Sequence, residues 1–192
     1  CDRRQRQMCI RDRQITEKEL DMEILGNTKI FHVGSLSLTS EPARSTTFAA
    51  IKAAKSAGAV ISYDPNYRAT LWENVETAKR EMKSLIPFVD IMKISDEETE
   101  LLTDEKEPEQ AAKVLMGKGV KLVAVTLGKD GAYIANAEGG KRVPGFESNV
   151  VDTTGAGDAF WGTFLYKLSQ SNESIEKITL DMAVEYLSLI HI

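Results

Sequence analysis

Short, nearly unbroken apolar runs separated by amphipathic stretches constrain this chain most. Residues 29–33 (KIFHV), 59–63 (AVISY), 89–94 (VDIMKI) and 121–126 (KLVAVT) carry Val, Ile and Leu almost continuously rather than at alternate positions. A strand of that kind is buried on both faces, as in a parallel sheet covered by helices. The intervening segments supply the helices. Residues 42–57 read as one, with Ser40 or Glu41 at its start and Gly58 just past its end. Residues 75–85 read as a second, stopped before Pro87. Residues 96–102 read as a short acidic helix, with Ser95 as N-cap and Glu98 completing a capping box. Residues 108–118 end at Gly117 and Gly119. Residues 131–136 read as a strand after the turn LGKDG, and residues 155–168 and 174–187 as helices. Alternating strand and helix in this order predicts an α/β fold with a mostly parallel sheet. No internal repeat or linker interrupts it, so one domain, or a piece of one, is expected.

Charge and side-chain inventory exclude several classes. The net charge is −5, but residues 1–13 hold five Arg and two Asp, a net +3, so the rest carries −8. An acidic body argues against a nucleic-acid partner, because phosphate backbones need a basic footprint. Both cysteines, Cys1 and Cys9, lie in that basic arm, so the body has no disulfide framework. His32 and His191 are the only histidines, too few for a histidine metal cluster or a Ser-His-Asp triad. His32 reads as a strand residue. No run approaches the ~18 apolar residues of a membrane span. No membrane partner and a cytoplasmic location are expected. The acidic run 96–109, with eight carboxylates and one Lys, reads as a solvated face. Residues 1–13 (CDRRQRQMCIRDR) and 189–192 lack apolar periodicity and read as non-native ends flanking a partial domain over 14–188.

The segment richest in chemistry is 151–164, VDTTGAGDAFWGTF. Gly155-Ala156-Gly157 opens an apolar helix whose inner face is expected to hold Phe160, Phe164 and Leu168. A helix start presents unpaired N–H groups and the positive end of the dipole. Glycines there let an anion approach the backbone, a combination suited to phosphate. Asp158 falls in the same first turn. A carboxylate beside a phosphate cradle makes chemical sense if it takes the proton of a hydroxyl that attacks phosphorus. A dinucleotide fingerprint would need Gly where Phe160 stands. A Walker A loop is absent, since Gly128-Lys129 is followed by Asp130 and position 123 is Val. Taken alone, GAGD also fits a plain helix start with a dipole-favouring acid.

Taken whole, DTTGAGDAF resembles the carboxyl-side signature of the ribokinase-like (PfkB) sugar kinases. Three upstream segments agree in order and spacing. Asp64-Pro65-Asn66-Tyr67-Arg68 with Leu71-Trp72 is similar to the DPNxR…LW segment of fructokinases and 2-keto-3-deoxygluconate kinases. Lys93-Ile94-Ser95-Asp96-Glu97-Glu98 resembles the family's Asn-x-x-Glu region. Residues 126–131 (TLGKDG) resemble its nucleotide loop. Ser95 stands where the family usually has Asn, a departure that the fructokinase branch tolerates.

The resemblance implies a three-layer αβα sandwich with a mostly parallel sheet, of which this chain is the carboxyl-side portion. It implies ATP-dependent phosphorylation of a sugar hydroxyl, fructose to fructose 6-phosphate first, with 2-keto-3-deoxygluconate or another sugar as the alternative. A non-catalytic nucleotide-binding module is the reading from another class. The implied roles are Asp158 as catalytic base and Gly155, Ala156 and Gly157 as the anion hole. Thr126, Gly128 and Gly131 would line the nucleotide. Asn66 and Arg68 would reach substrate or phosphate, the latter with a bidentate fork. Glu98 would orient Mg²⁺ through water, and Asp152 would help hold a monovalent cation such as K⁺. Sugar and ATP are the implied partners, and a homodimer the implied assembly of the full-length enzyme. In this family the lid and most sugar contacts lie in the amino-side half. The chain alone is therefore expected to lack sugar kinase turnover.

Overall fold

The structure is a computed structural model and describes residues 14–145, 154–171 and 173–188. The expected non-native ends, Cys1, Cys9, His191 and Asp152 lie outside the described residues. The chain forms two compact units, Cys1–Val89 and Asp90–Ile192.

In the first unit, helix α1 (Met22–Gly26) is short and capped by Asp21, whose Oδ1 accepts from the amides of Glu23 and Ile24 at 3.0 Å. Strands β1 (Ile30–Val33) and β2 (Val60–Tyr63) pair in parallel, with Ile30 opposite Val60 and Val33 opposite Tyr63. Helix α2 (Ala43–Ser56) connects them and buries Ala43, Thr46, Thr47, Ala50, Ile51 and Ala54, spaced along one face. It ends in a Schellman turn. Gly58 takes φ 91° and donates to Lys55 O, while Ala59 donates to Ala54 O. Helix α3 (Val75–Leu85) starts where Asn74 Oδ1 accepts from the Thr77 amide at 2.8 Å. Its buried Ala78, Met82 and Leu85 again follow helical spacing. His32 is a strand residue, as expected, exposed and with its Nδ1 2.9 Å from Ser62 Oγ.

In the second unit, β3 (Ile91–Ser95) and β4 (Leu122–Thr126) pair in parallel, and four consecutive residues of each are buried. The crossover between them consists of α4 (Asp96–Thr103) and α5 (Pro108–Gly117). Next come β5 (Ala132–Asn136) and β6 (Gly139–Val143), both antiparallel to their neighbours. The pairing is therefore parallel for β1–β2 and β3–β4 and antiparallel here, within the mostly parallel α/β fold expected. Five residues separate β4 from β5, and two separate β5 from β6. A parallel return needs a crossover of a dozen residues or more, so these links permit only hairpins.

The unit closes with α6 (Ala156–Gln170) and α7 (Leu180–Ser188). The single helix expected over 174–187 is in fact a 3₁₀ turn, Ile175–Lys177, followed by α7. Ile178 is extended between them, and its carbonyl accepts from buried Asn136 Nδ2 at 3.0 Å. Thr179 Oγ1 then accepts from the Met182 amide, starting the helix afresh. The inner face of α6 is also corrected. Trp161, Phe164 and Leu168 are its buried residues, and Phe160 is only half-buried. Trp161 and Phe164 stack at 4.8 Å between ring centroids, and Phe164 meets Tyr186 of α7 at 6.3 Å. Lys121, at the entry to β4, bonds Glu176 at 2.6 Å and pairs with Asp90 at 3.2 Å. Its hydrogen bond to Glu176, reinforced by Asp90, holds the ammonium above the ordinary lysine range. No described helix is long and apolar enough to cross a membrane.

Candidate active site

Gly155 starts α6 with φ 79° and ψ 0°, in the left-handed region. Nothing lies within 4 Å of a Cβ added there, so conformation alone demands glycine. The first helical bond runs from the Ala159 amide to Gly155 O at 2.8 Å. The amides that open the helix have no carbonyl one turn earlier to bond, and the dipole's positive end lies with them. Asp158 is the third helical residue and is exposed. The expected helix start and an outward-facing acid are therefore both present. Such a tip can hold an anion while its carboxylate remains accessible to a proton donor. Gly155→Ala is expected to destabilise the second unit by about 1 kcal/mol, the cost of a left-handed non-glycine residue. Urea melts of the two proteins measure the difference.

The carboxyl ends of β3 and β4 carry a second group of the expected residues. Ser95 ends β3, and Thr126 ends β4 directly opposite it. In parallel sheets, ligands bind beyond this edge of the strands. Ser95 caps α4. Its amide and hydroxyl both donate to Glu98 Oε2, at 2.8 and 3.1 Å, forming the expected capping box. Glu98 is buried. Thr126 is half-buried, with its hydroxyl 3.4 Å from Ile94 O. The turn after it is a hairpin in which Leu127 N donates to Gly131 O at 2.8 Å. Gly128 and Gly131 both take positive φ, 57° and 91°. A Cβ on Gly131 would strike Val143 O and the Gly145 amide, so only glycine lets the strands close here.

Asn66 and Arg68 belong to the first unit, in the loop leaving β2. Asn66 is left-handed, φ 47°, and its amide donates to buried Asp64 Oδ1 at 3.1 Å. Asparagine tolerates this region better than most residues. Arg68 is exposed, with Nη1 donating to Tyr67 O at 3.0 Å.

The structure also brings in a residue that pattern reading missed. Lys93 lies inside β3 and is 6% exposed. Its Nζ lies 3.0 Å from the position a Cβ on Gly157 would take. The available signal was a lone Lys within an apolar strand, where charge is rare.

The chain has relatives of known family. Residues 2–183 match the model of the pfkB family carbohydrate kinases. Probable fructokinase-5 of Arabidopsis thaliana is 42% identical over 166 residues, 86% of this chain and 51% of that protein. Fructokinase-2 of Solanum lycopersicum is 40% identical over the same shares. Among solved structures, fructokinase with bound ATP from Xylella fastidiosa aligns with a TM-score of 0.82 at 26% identity, covering 90% of this chain and 56% of that one. Fructokinase from Vibrio cholerae O395, solved with fructose, ADP and calcium ion, aligns at 0.77 and 33%, covering 88% and 56%. The chain thus spans about half the length of the relatives it matches. It has their ribokinase-like α/β fold over nine-tenths of its residues. Motifs, fold and sequence likeness over most of its length agree: the chain belongs to the pfkB family of carbohydrate kinases.

Proposed function

We propose that the full-length protein carrying this chain transfers a phosphoryl group from ATP to a sugar hydroxyl, with fructose as the preferred acceptor. The observation that carries the reading is Asp158, exposed in the first turn of a glycine-opened helix. Bound ATP supplies the phosphoryl group. The amides of Gly155, Ala156 and Gly157 hold its charge at the helix tip, which lowers the barrier most if they bind the transition state more tightly than the ground state. Asp158 accepts the proton of the attacking hydroxyl and orients its oxygen. Thr126, Gly128 and Gly131 border the nucleotide, and the positive φ of both glycines shapes the turn between β4 and β5. Asn66 and Arg68 contact substrate or phosphate.

Magnesium fits these residues in a limited way. Among the described residues no three His, Cys, Asp or Glu side chains gather as a metal cage. That suits Mg²⁺, which keeps several waters and leans on substrate phosphates. When bound, it neutralises phosphate charge. Glu98, which also serves in the capping box, would help hold the ion through water. Asp152 is proposed for a monovalent cation such as K⁺. The full-length protein is proposed to act in the cytoplasm as a homodimer. A relative named probable fructokinase-6, chloroplastic, makes the plastid the second compartment to examine.

A coupled assay of ADP release with a panel of sugars tests the reading. Fructose is expected to give the highest kcat/KM in the full-length protein. A preference for 2-keto-3-deoxygluconate would move the substrate within the family, and ATP binding without turnover on any sugar would mean a non-catalytic module. The 192-residue chain alone is expected to show no fructose-dependent ADP release, because substrate positioning supplies much of the rate and those contacts lie in the other half. Robust turnover by this chain would refute that division of labour.

A further inference from the structure

We propose that Lys93 is a positioning residue of the phosphoryl site, acting by adding positive charge behind the tip of α6. This rests on the kinase reading and extends it to a residue to which the resemblance assigned no role. Lys93 points from the middle of β3, on the side opposite its neighbours Met92 and Ile94. Lys93 is buried, only 6% exposed. Nζ and Cε lie 3.0 and 3.6 Å from an added Cβ on Gly157, the second residue of the helix.

Two positive features therefore meet. Cations are stabilised at helix C-termini, not at N-termini, so the dipole disfavours an ammonium here. Burial adds a desolvation cost. Lys93 has interactions of its own within the protein, and the proposal rests on its position rather than on any lack of them. A multiply charged anion at the tip would be attracted by both features at once, in surroundings that screen charge less than water does. The effect should grow with the charge of the terminal phosphate and be largest as phosphoryl charge redistributes during transfer. The same geometry gives Gly157 a second purpose. It leaves room for Lys93, since a methyl group there would push Nζ away.

The test uses the full-length protein and calorimetric titration with ATP and with ADP. Lys93→Met keeps the length of the side chain, and an apolar replacement for a buried charge is often tolerated. It is expected to weaken ATP about tenfold and ADP less than about twofold, and to lower kcat about 10–100-fold with the KM for sugar nearly unchanged. Lys93→Arg should recover part of both. Gly157→Ala offers a second route, because its methyl group displaces Nζ while alanine is the better helix former. It should keep the melting temperature yet lose ATP preference. Combined with Lys93→Met it should add little, since both act through one group. Equal weakening of ATP and ADP, no change in either, or full additivity would overturn the proposal. If the wild type favours ATP through Lys93 but phosphorylates no sugar, the kinase reading falls and the role of Lys93 stands.

Discussion

Asp158→Asn in the full-length protein is expected to lower kcat about 10²–10⁴-fold while leaving ATP affinity within a few fold. Asparagine preserves the size of the side chain and a carbonyl oxygen, but it cannot accept the hydroxyl proton. The helix tip formed by Gly155 and Gly157 should remain intact, because the first-turn bond from Ala159 to Gly155 involves backbone only. The loss should therefore fall on turnover and not on nucleotide binding. Removing a negative charge from the first helical turn also removes a dipole interaction worth about 0.3–1 kcal/mol, a small change in melting temperature. A plain helix-start role predicts that small change and nothing more. Steady-state kinetics and ATP titration on one preparation separate the two.

The second large effect is on stability. Trp161→Ala is expected to cost about 3–5 kcal/mol, measured by denaturant unfolding. Trp161 is 1% exposed and stacks on Phe164, which is fully buried. These two and Leu168 form the side of α6 that faces the core. Domains are stable by only about 5–15 kcal/mol, so this loss removes a large fraction of the total. It should also spread to the site. The amides at 155–157 can hold an anion only while the helix axis is fixed, and Trp161 lies just over one turn from Gly157. Phe160→Ala, at the half-buried neighbouring position, should cost clearly less. A larger cost at 160 than at 161 would contradict the observed face.

The helix tip was legible because its signals are local. Two glycines, an acid and an apolar stripe within fourteen residues, 155–168, specify it, and the structure begins α6 where they do. The capping box of Ser95 and Glu98 was legible for the same reason. The face of α6 was misread by one residue. Phe160, Phe164 and Leu168 fit helical spacing as well as Trp161, Phe164 and Leu168, and only packing against neighbouring elements chooses between them. Strand β6 gave no apolar signal, because four of its five residues, Gly139 to Arg142, are exposed. The break between Ile175–Lys177 and α7 depends on Asn136, more than forty residues away, bonding the carbonyl of Ile178. Lys93 shows the same limit at the site. Its neighbours in sequence suggest a buried strand position, and only the fold reveals that Gly157 is beside it.

The most direct measurement is a crystal structure of the full-length protein with ADP, aluminium fluoride and fructose. The account predicts the fluoride group on the backbone amides at 155–157, with the Asp158 carboxylate within hydrogen-bond reach of the acceptor hydroxyl. A fluoride group held elsewhere, or a different carboxylate against that hydroxyl, would contradict it.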